Sequence, residues 1–358
     1  MSSSIIGLGT ALPTNSVSQI ESYRLAKILC CHTDKQERVL EQVYKKSGIQ
    51  SRSTILHKKS DQFVGENFFR KPLTISDTGP STAERMAVYE QEVEPLASQA
   101  CRGALYQSGI DAETITHLVT VSCTGFYAPG FDLQLFKSLS LKPTVRRTHI
   151  GFMGCHGALN GLRVANSLCA ENSNNVVLIC ATELCSMHFQ YGWSKESLVS
   201  NSLFADGSAA LLMRSGSNSL NYADEISYVV PDSEEAMSWR IGDAGFIMSL
   251  ANYVPELIRN HLPPLMTNWL SSNGLAMSDV KGWAVHPGGP RILDAVENAL
   301  KLDAEALSAS RAILAECGNM SSPTVLFILQ RLLAIGDKLP CVILGFGPGL
   351  TVEAALIR

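Results

Sequence analysis

Short apolar, β-rich runs that each stop at a loop of glycine, proline or small polar residues constrain the fold of this chain more than any other feature. They read HLVTVSC over 117–123, NVVLICA over 175–181, KGWAV over 281–285 and CVILGFG over 341–347. Runs with so little polar alternation fit strands buried on both faces, as in a largely parallel sheet covered by helices. Between them, apolar residues recur at helical spacing. Strand, helix and strand therefore alternate, and the sequence predicts a layered α/β fold whose ligand-binding loops sit at the carboxyl edge of a sheet.

The remaining elements follow from the same reading. Residues 4–12 predict a first strand, 19–47 a helical stretch ending at Gly48, and 82–108 two helical pieces divided at Pro95. A strand over 148–153 leads to Cys155 and its helix, and 203–213 gives a glycine-centred turn and a strand. Residues 250–270 predict an amphipathic helix broken by Pro263 and Pro264, with further helices over 292–300, 308–316 and 324–333. The Ser- and Asn-rich interval 215–221 is the expected seam between an N-terminal half, 1–215, and a C-terminal half, 216–358. No internal repeat can be asserted from the letters.

Composition narrows the class. With 358 residues, 46% hydrophobic and 17% charged, the chain can bury a large core, and a net charge of −4 argues against a nucleic-acid partner. No apolar stretch approaches the ~20 residues of a membrane helix and the start carries no charged leader, so a cytosolic protein is expected. Ten cysteines without a C-x-x-C pair or a nearby histidine cluster predict reduced thiols and no metal site.

Three loops could carry chemistry. In GFMGCHGALNGLR, residues 151–163, glycines turn the backbone just before Cys155, and helical spacing begins at Gly157. A cysteine at a helix entrance is a candidate nucleophile, because unpaired N–H groups and the helix dipole favour its thiolate; the alternative is a small buried cysteine beside a tight turn. His286 follows a strand in HPGGP, and Asn319 sits in CGNMSS before an apolar helix. Singly, these read as a hydrogen-bonded histidine under a turn and a helix cap. Together, the three suit transfer of an acyl group to sulfur, followed by stabilisation of an enolate by donors that bring no negative charge. That chemistry is decarboxylative carbon–carbon bond formation.

Over nearly its whole length, and most specifically in WAVHPGGPRIL, ECGNMSSPTVLFIL and GFGPGLTVE, the chain resembles the type III polyketide synthases, the chalcone and stilbene synthase group of thiolase-like condensing enzymes. The resemblance implies a thiolase-like αβαβα fold of two similar halves, with Cys155 as acyl-carrying nucleophile and His286 and Asn319 promoting decarboxylation. It implies acyl-CoA and malonyl-CoA as substrates, no cofactor, and a homodimer with the loop around Ala128 near the partner. Phe204 matches the gatekeeping phenylalanine, and Ser321 of the GNMSS motif is expected at the cavity.

Departures from the plant members bear on product. Cys123, Thr124, Cys185 and His188 stand where chalcone synthases line the cavity with small hydroxyl residues, Met248 replaces a second gatekeeping phenylalanine, and Trp239 replaces a glycine. The segment MSWRIGDAGF looks more like bacterial members that use fatty acyl starters to make alkylresorcinols or alkylpyrones. Of the basic cluster Lys45, Lys46, Arg52, Lys58 and Lys59, the resemblance assigns Lys46 and Arg52 to CoA phosphates. The rival reading is a single-condensation ketoacyl synthase of fatty acid initiation that takes its substrate from an acyl carrier protein. A non-catalytic scaffold would lack Cys155, His286 or Asn319, and all three are present.

Overall fold

The computed structural model describes residues 3–56, 68–216 and 220–358. Nine strands form the main sheet: β1 (Ser3–Ala11), β2 (His117–Ser122), β3 (Arg146–Gly151), β4 (Val176–Leu184), β5 (Asp206–Ser215), β6 (Asn221–Val229), β7 (Gly282–Val285), β8 (Cys341–Gly347) and β9 (Thr351–Ile357). Their order is β7-β8-β9-β6-β1-β5-β4-β2-β3. The first half runs β1-β5-β4-β2-β3, antiparallel at its first two pairings and parallel at the next two. From β6 the second half repeats the pattern as β6-β9-β8-β7, without a counterpart of the edge strand β3. A short antiparallel pairing of Ser3 with Tyr222 and Ser4 with Asn221 joins the halves.

Alternate side chains of these strands belong to different cores, which is what two-sided burial demands. Val119, Ile179 and Leu211 face the central helices α2 (Gly157–Glu171) and α4 (Thr324–Ile335), and so do Ile343 and Ala355 from the second half. Leu118, Leu178 and Leu212 face the other way, onto the helix Thr82–Ser108, which is α1. Val342, Leu344 and Leu356 face α3 (Val254–Ser272) on the opposite outside. The layers are therefore α, β, α, β, α, as the expected fold class required.

Prolines do not divide the helices as the sequence reading expected. Pro95 lies inside a single 27-residue α1, and both Pro263 and Pro264 lie inside a continuous α3. An interior proline costs a helix about 3 kcal/mol, and buried side chains at Val254, Ile258, Leu262, Met266, Trp269 and Leu270 outweigh that cost along α3. Conversely, the stretch 19–47 is two helices, Gln19–Cys30 and Asp34–Lys45, because Thr33 accepts from the Gln36 N–H and caps a new start.

Candidate active site

Past β3, positive φ at Phe152 (61°) and Gly154 (74°) reverses the chain, and Cys155 sits in a 3-10 turn, Gly154–His156, that feeds α2. Glycine is required at 154 by space as well as by φ, since a Cβ there would lie 2.5 Å from Pro348 Cδ. A Cβ on Gly347 would lie 2.1 Å from His156 Cδ2. The GFGPG loop thus presses on the nucleophile turn from two points. Gly154→Ala is expected to destabilise the protein by about 1–3 kcal/mol, read as a lowered Tm; an unchanged Tm would mean that the clamp is slack.

His286 hangs from the end of β7, its backbone N–H donating to Leu344 O at 2.8 Å. The side chain is 1% exposed and neither ring nitrogen has a hydrogen-bond partner among the described residues. Asn319 is stitched to the first half: its N–H donates to Leu203 O and its carbonyl accepts from Ala205 N–H, both at 2.9 Å. Its Oδ1 accepts from the Ser321 N–H at 2.8 Å, so the carboxamide NH2 is the end left to donate. Asn319 is therefore no helix cap; Pro323 occupies that position for α4.

Cys155, His286 and Asn319 line one hollow of about 30 Å³, together with Phe204, Met248 and Phe346. A second hollow of about 30 Å³ shares Cys155, Phe204 and Met248 and adds Cys123, Cys185 and Ser321. Thr124 and Trp239 also border it. Ser321, held at a positive φ of 58°, donates its hydroxyl to Cys155 Sγ at 3.6 Å and stands 3.4 Å from Cys123 Sγ.

Electrostatics corrects one expectation. Burial pushes the Cys155 thiol up to about 12, opposed by the Ser321 hydroxyl, and burial with the neighbouring His156 pushes His286 down to about 3. Desolvation acts strongly here because the thiol sits at the wall of the hollow, two residues ahead of the helical backbone. Both shifts favour a thiol and a neutral imidazole, an arrangement in which a base can take the proton as a thiol attacks.

The other anticipated residues divide. His188 donates Nε2–H to Thr124 O at 2.6 Å and accepts the Phe246 N–H on Nδ1 at 3.0 Å. Both ring nitrogens are spent, and burial lowers its pKa to about 3, so it is a neutral strut. Trp239 donates Nε1–H to Cys123 O at 2.7 Å. Thr124 turns its hydroxyl inward to Glu183 at 2.7 Å. Arg52 is not available to a CoA phosphate: it is 8% exposed and donates to the carbonyls of Asn201 (2.7 Å) and Phe204 (2.9 Å), holding the gatekeeper's loop. Lys58 and Lys59 lie outside the described residues.

Glu183, not singled out from the sequence, is wholly buried and accepts from the Cys123 N–H and the Thr124 hydroxyl; burial raises it to about 7 despite these bonds. Its place at the end of an apolar strand was the only signal.

Lys46 lines a far larger cavity, about 930 Å³, whose rim also carries Lys35, Arg38, Lys195 and Arg291. These five cations are exposed, and among the described residues none of them is paired with a carboxylate. Leu203, Leu250, Gly288 and Ile292 border both this cavity and the hollow of Cys155, so the two lie side by side with those residues between them.

Comparison with known proteins bears on this arrangement. Residues 2–217 match the family model of the chalcone and stilbene synthases, N-terminal domain, and residues 221–358 match the C-terminal domain. The chain belongs to this family of type III polyketide synthases. The synthase is 31% identical to the 1,3,6,8-tetrahydroxynaphthalene synthase of Streptomyces peucetius subsp. caesius, over 99% of this chain and 93% of that protein. It is also 31% identical to the alpha-pyrone synthesis polyketide synthase-like protein Pks18 of Mycobacterium tuberculosis, over 98% and 90%. Among solved structures, PKS-I of the brown alga Ectocarpus siliculosus superposes with a TM-score of 0.92 at 31% identity, covering 100% of the synthase and 98% of that chain. No helix among the described residues is long and apolar enough to cross a membrane.

Proposed function

We propose that this synthase takes an acyl group from a fatty acyl-CoA, extends it with several malonyl-CoA units by decarboxylative Claisen condensation, and closes the product to an alkylresorcinol, alkylpyrone or related aromatic polyketide. The observation that carries the reading is the meeting of a thiol, a buried imidazole and a carboxamide NH2 in one hollow that adjoins a cation-rimmed cavity. In this reading Cys155 Sγ attacks the starter thioester as His286 takes its proton, and CoA leaves as the thiol with that proton. A malonyl thioester then loses carbon dioxide, His286 and Asn319 donate to the enolate oxygen, and its carbon attacks the acyl carbon on Cys155; the thioester to Cys155 breaks, its sulfur leaves as thiolate, and the extended chain, now on CoA, is passed back to that sulfur with release of CoA for the next round. The CoA phosphates lie against Lys35, Arg38, Lys46, Lys195 and Arg291, to which a polyanion is drawn.

An aliphatic starter is favoured by the apolar wall, Val17, Leu25, Leu56 and Phe69, of a further cavity of about 70 Å³ whose lining also includes Glu21, Arg52 and Asn201. Cys185, Phe204 and Trp239 border both it and the hollow of Cys155, so the Trp239 indole stands as a partition. Incubation with malonyl-CoA and a panel of acyl-CoA starters, read by mass spectrometry, tests the assignment; preference for coumaroyl-CoA over every aliphatic starter would sink it. The mass of the product also counts condensations, which separates this reading from a single-step ketoacyl synthase. Trp239→Ala is expected to favour long over short acyl-CoA by at least about tenfold in relative kcat/KM, roughly one to two methylenes of binding. An unaltered ranking would remove the partition.

The reading includes a homodimer. The edge strand β3 is exposed along most of its length beside Met153 (38% exposed) and Phe126 (47%), a surface of the kind that second copies cover.

A further inference from the structure

Two helices end beside Arg52, and each delivers a residue to the hollow of Cys155. The helix Lys195–Leu203 runs into Phe204, and the helix Ser308–Cys317 runs through Gly318 into Asn319. Arg52 stands between them on the short strand Ser51–Thr54, a segment sewn to the second helix by Gln50 N–H to Ala315 O and by the Ser51 hydroxyl to Glu316 O, both at 2.8 Å. Toward the first helix, Arg52 Nη1 donates to Asn201 O at 2.7 Å and Phe204 O at 2.9 Å. These are carbonyls at a helix end, which the helix cannot pair for itself, and a cation there also meets the negative end of its dipole. Tyr44 adds its hydroxyl to Asn201 O at 3.2 Å, with its ring centre 6.0 Å from the guanidinium carbon. Toward the second helix, the Arg52 stem lies on Gly318. A Cβ at 318 would stand 2.9 Å from Arg52 Cγ and 2.9 Å from Ala205 Cβ, at a φ of 77° that favours glycine. Asn319 then pairs with Leu203 and Ala205 of the segment that Arg52 caps.

We propose that Arg52 is a positioning residue for decarboxylation: by capping the helix Lys195–Leu203 and seating Gly318, it sets where the Asn319 carboxamide stands in the hollow. Among the described residues no carboxylate pairs with Arg52, and its Nη1 is taken by the two carbonyls. Arg52 does not line the cation-rimmed cavity assigned to the CoA phosphates; it borders the cavity assigned to the starter chain. Contact with a phosphate and contact with the starter are therefore the two roles from which positioning must be told apart.

Only the donor role of Asn319 is taken from the proposed function, and the test uses malonyl-CoA with no starter present, so that a contact to the starter cannot register. Arg52→Lys keeps the charge but ends one bond short of Nη1; Arg52→Met keeps a stem without the charge. In each variant the limiting rate of labelled carbon dioxide release should fall at least about tenfold while KM for malonyl-CoA moves by less than about threefold. A raised KM at an unchanged limiting rate would make Arg52 a phosphate contact and overturn the proposal, as would full activity in Arg52→Lys. Placed on Asn319→Ala, the same substitutions should cost no more than about twofold further, because the group they misplace is gone. An equal loss in both backgrounds would reduce Arg52 to general stability and overturn the proposal. Hydrogen exchange read by mass spectrometry on the full chain gives a second readout: peptides over 199–206 and 316–322 should exchange at least about threefold faster in Arg52→Lys, with α2 unchanged. Unmoved exchange over 316–322 would overturn the placement of Asn319 by Arg52. Failure to make polyketide from any starter, with the coupled loss intact, would sink the proposed function and leave this inference standing.

Discussion

Cys155→Ala is expected to abolish both acyl loading and polyketide formation, a loss on the order of 10⁴-fold or more, while leaving a slow release of carbon dioxide from malonyl-CoA. The asymmetry follows from where the groups sit. His286 and Asn319 are placed by β7 and by backbone bonds to 203–205, none of which involves the sulfur. Deleting one thiol at the wall of an existing hollow leaves those supports intact, so the donors still meet the malonyl oxygen although nothing holds the growing chain. The measurement is labelled carbon dioxide release alongside intact mass after incubation with an acyl-CoA. Product at more than a trace from the variant would show that another group carries the acyl chain. Cys123 is the first to suspect, since its sulfur shares the Ser321 hydroxyl.

Asn319→Asp should separate the two halves of the chemistry the other way. The side chain keeps its size, and one oxygen still accepts from the Ser321 N–H, but the donating NH2 becomes a second oxygen. Loss of one donor to a developing oxyanion costs about 3–4 kcal/mol, so decarboxylation and condensation should each fall about 10²- to 10³-fold. Loading of the starter on Cys155 should change by less than about threefold if Asn319 does not face the loading step. Asn319→Ala, which removes the donor without adding a charge, should show the same split more mildly. Loading lost while decarboxylation persists would place Asn319 on the wrong step.

Much of this was legible in the chain because buried strands announce themselves. HLVTVSC and NVVLICA are apolar on both faces since each separates two cores, and the sheet needed no further information to be recognised. Strand β6 was missed for the converse reason: NYADEISYV is only partly buried along its length, and its polar residues give no apolar run. The hairpin of Met237–Gly242 with Gly245–Leu250 was missed as well, although it brings Trp239 and Met248 to the site, because its mixed side chains face a cavity rather than a core. Reactivity was less legible than position. The spacing around Cys155 located the sulfur but could not weigh desolvation against the helix dipole, and Arg52, a cation in a basic cluster, gave no sign that backbone carbonyls would claim it.

The doubled strand order carries a consequence of its own. Cys155 precedes the middle helix of one half and Asn319 the middle helix of the other, so the two stand at matching points of what reads as a single ancestral unit copied in tandem. Either copy alone would own the sulfur or the carboxamide, never both. A protein severed at the join should therefore recover activity only when its two fragments reassociate.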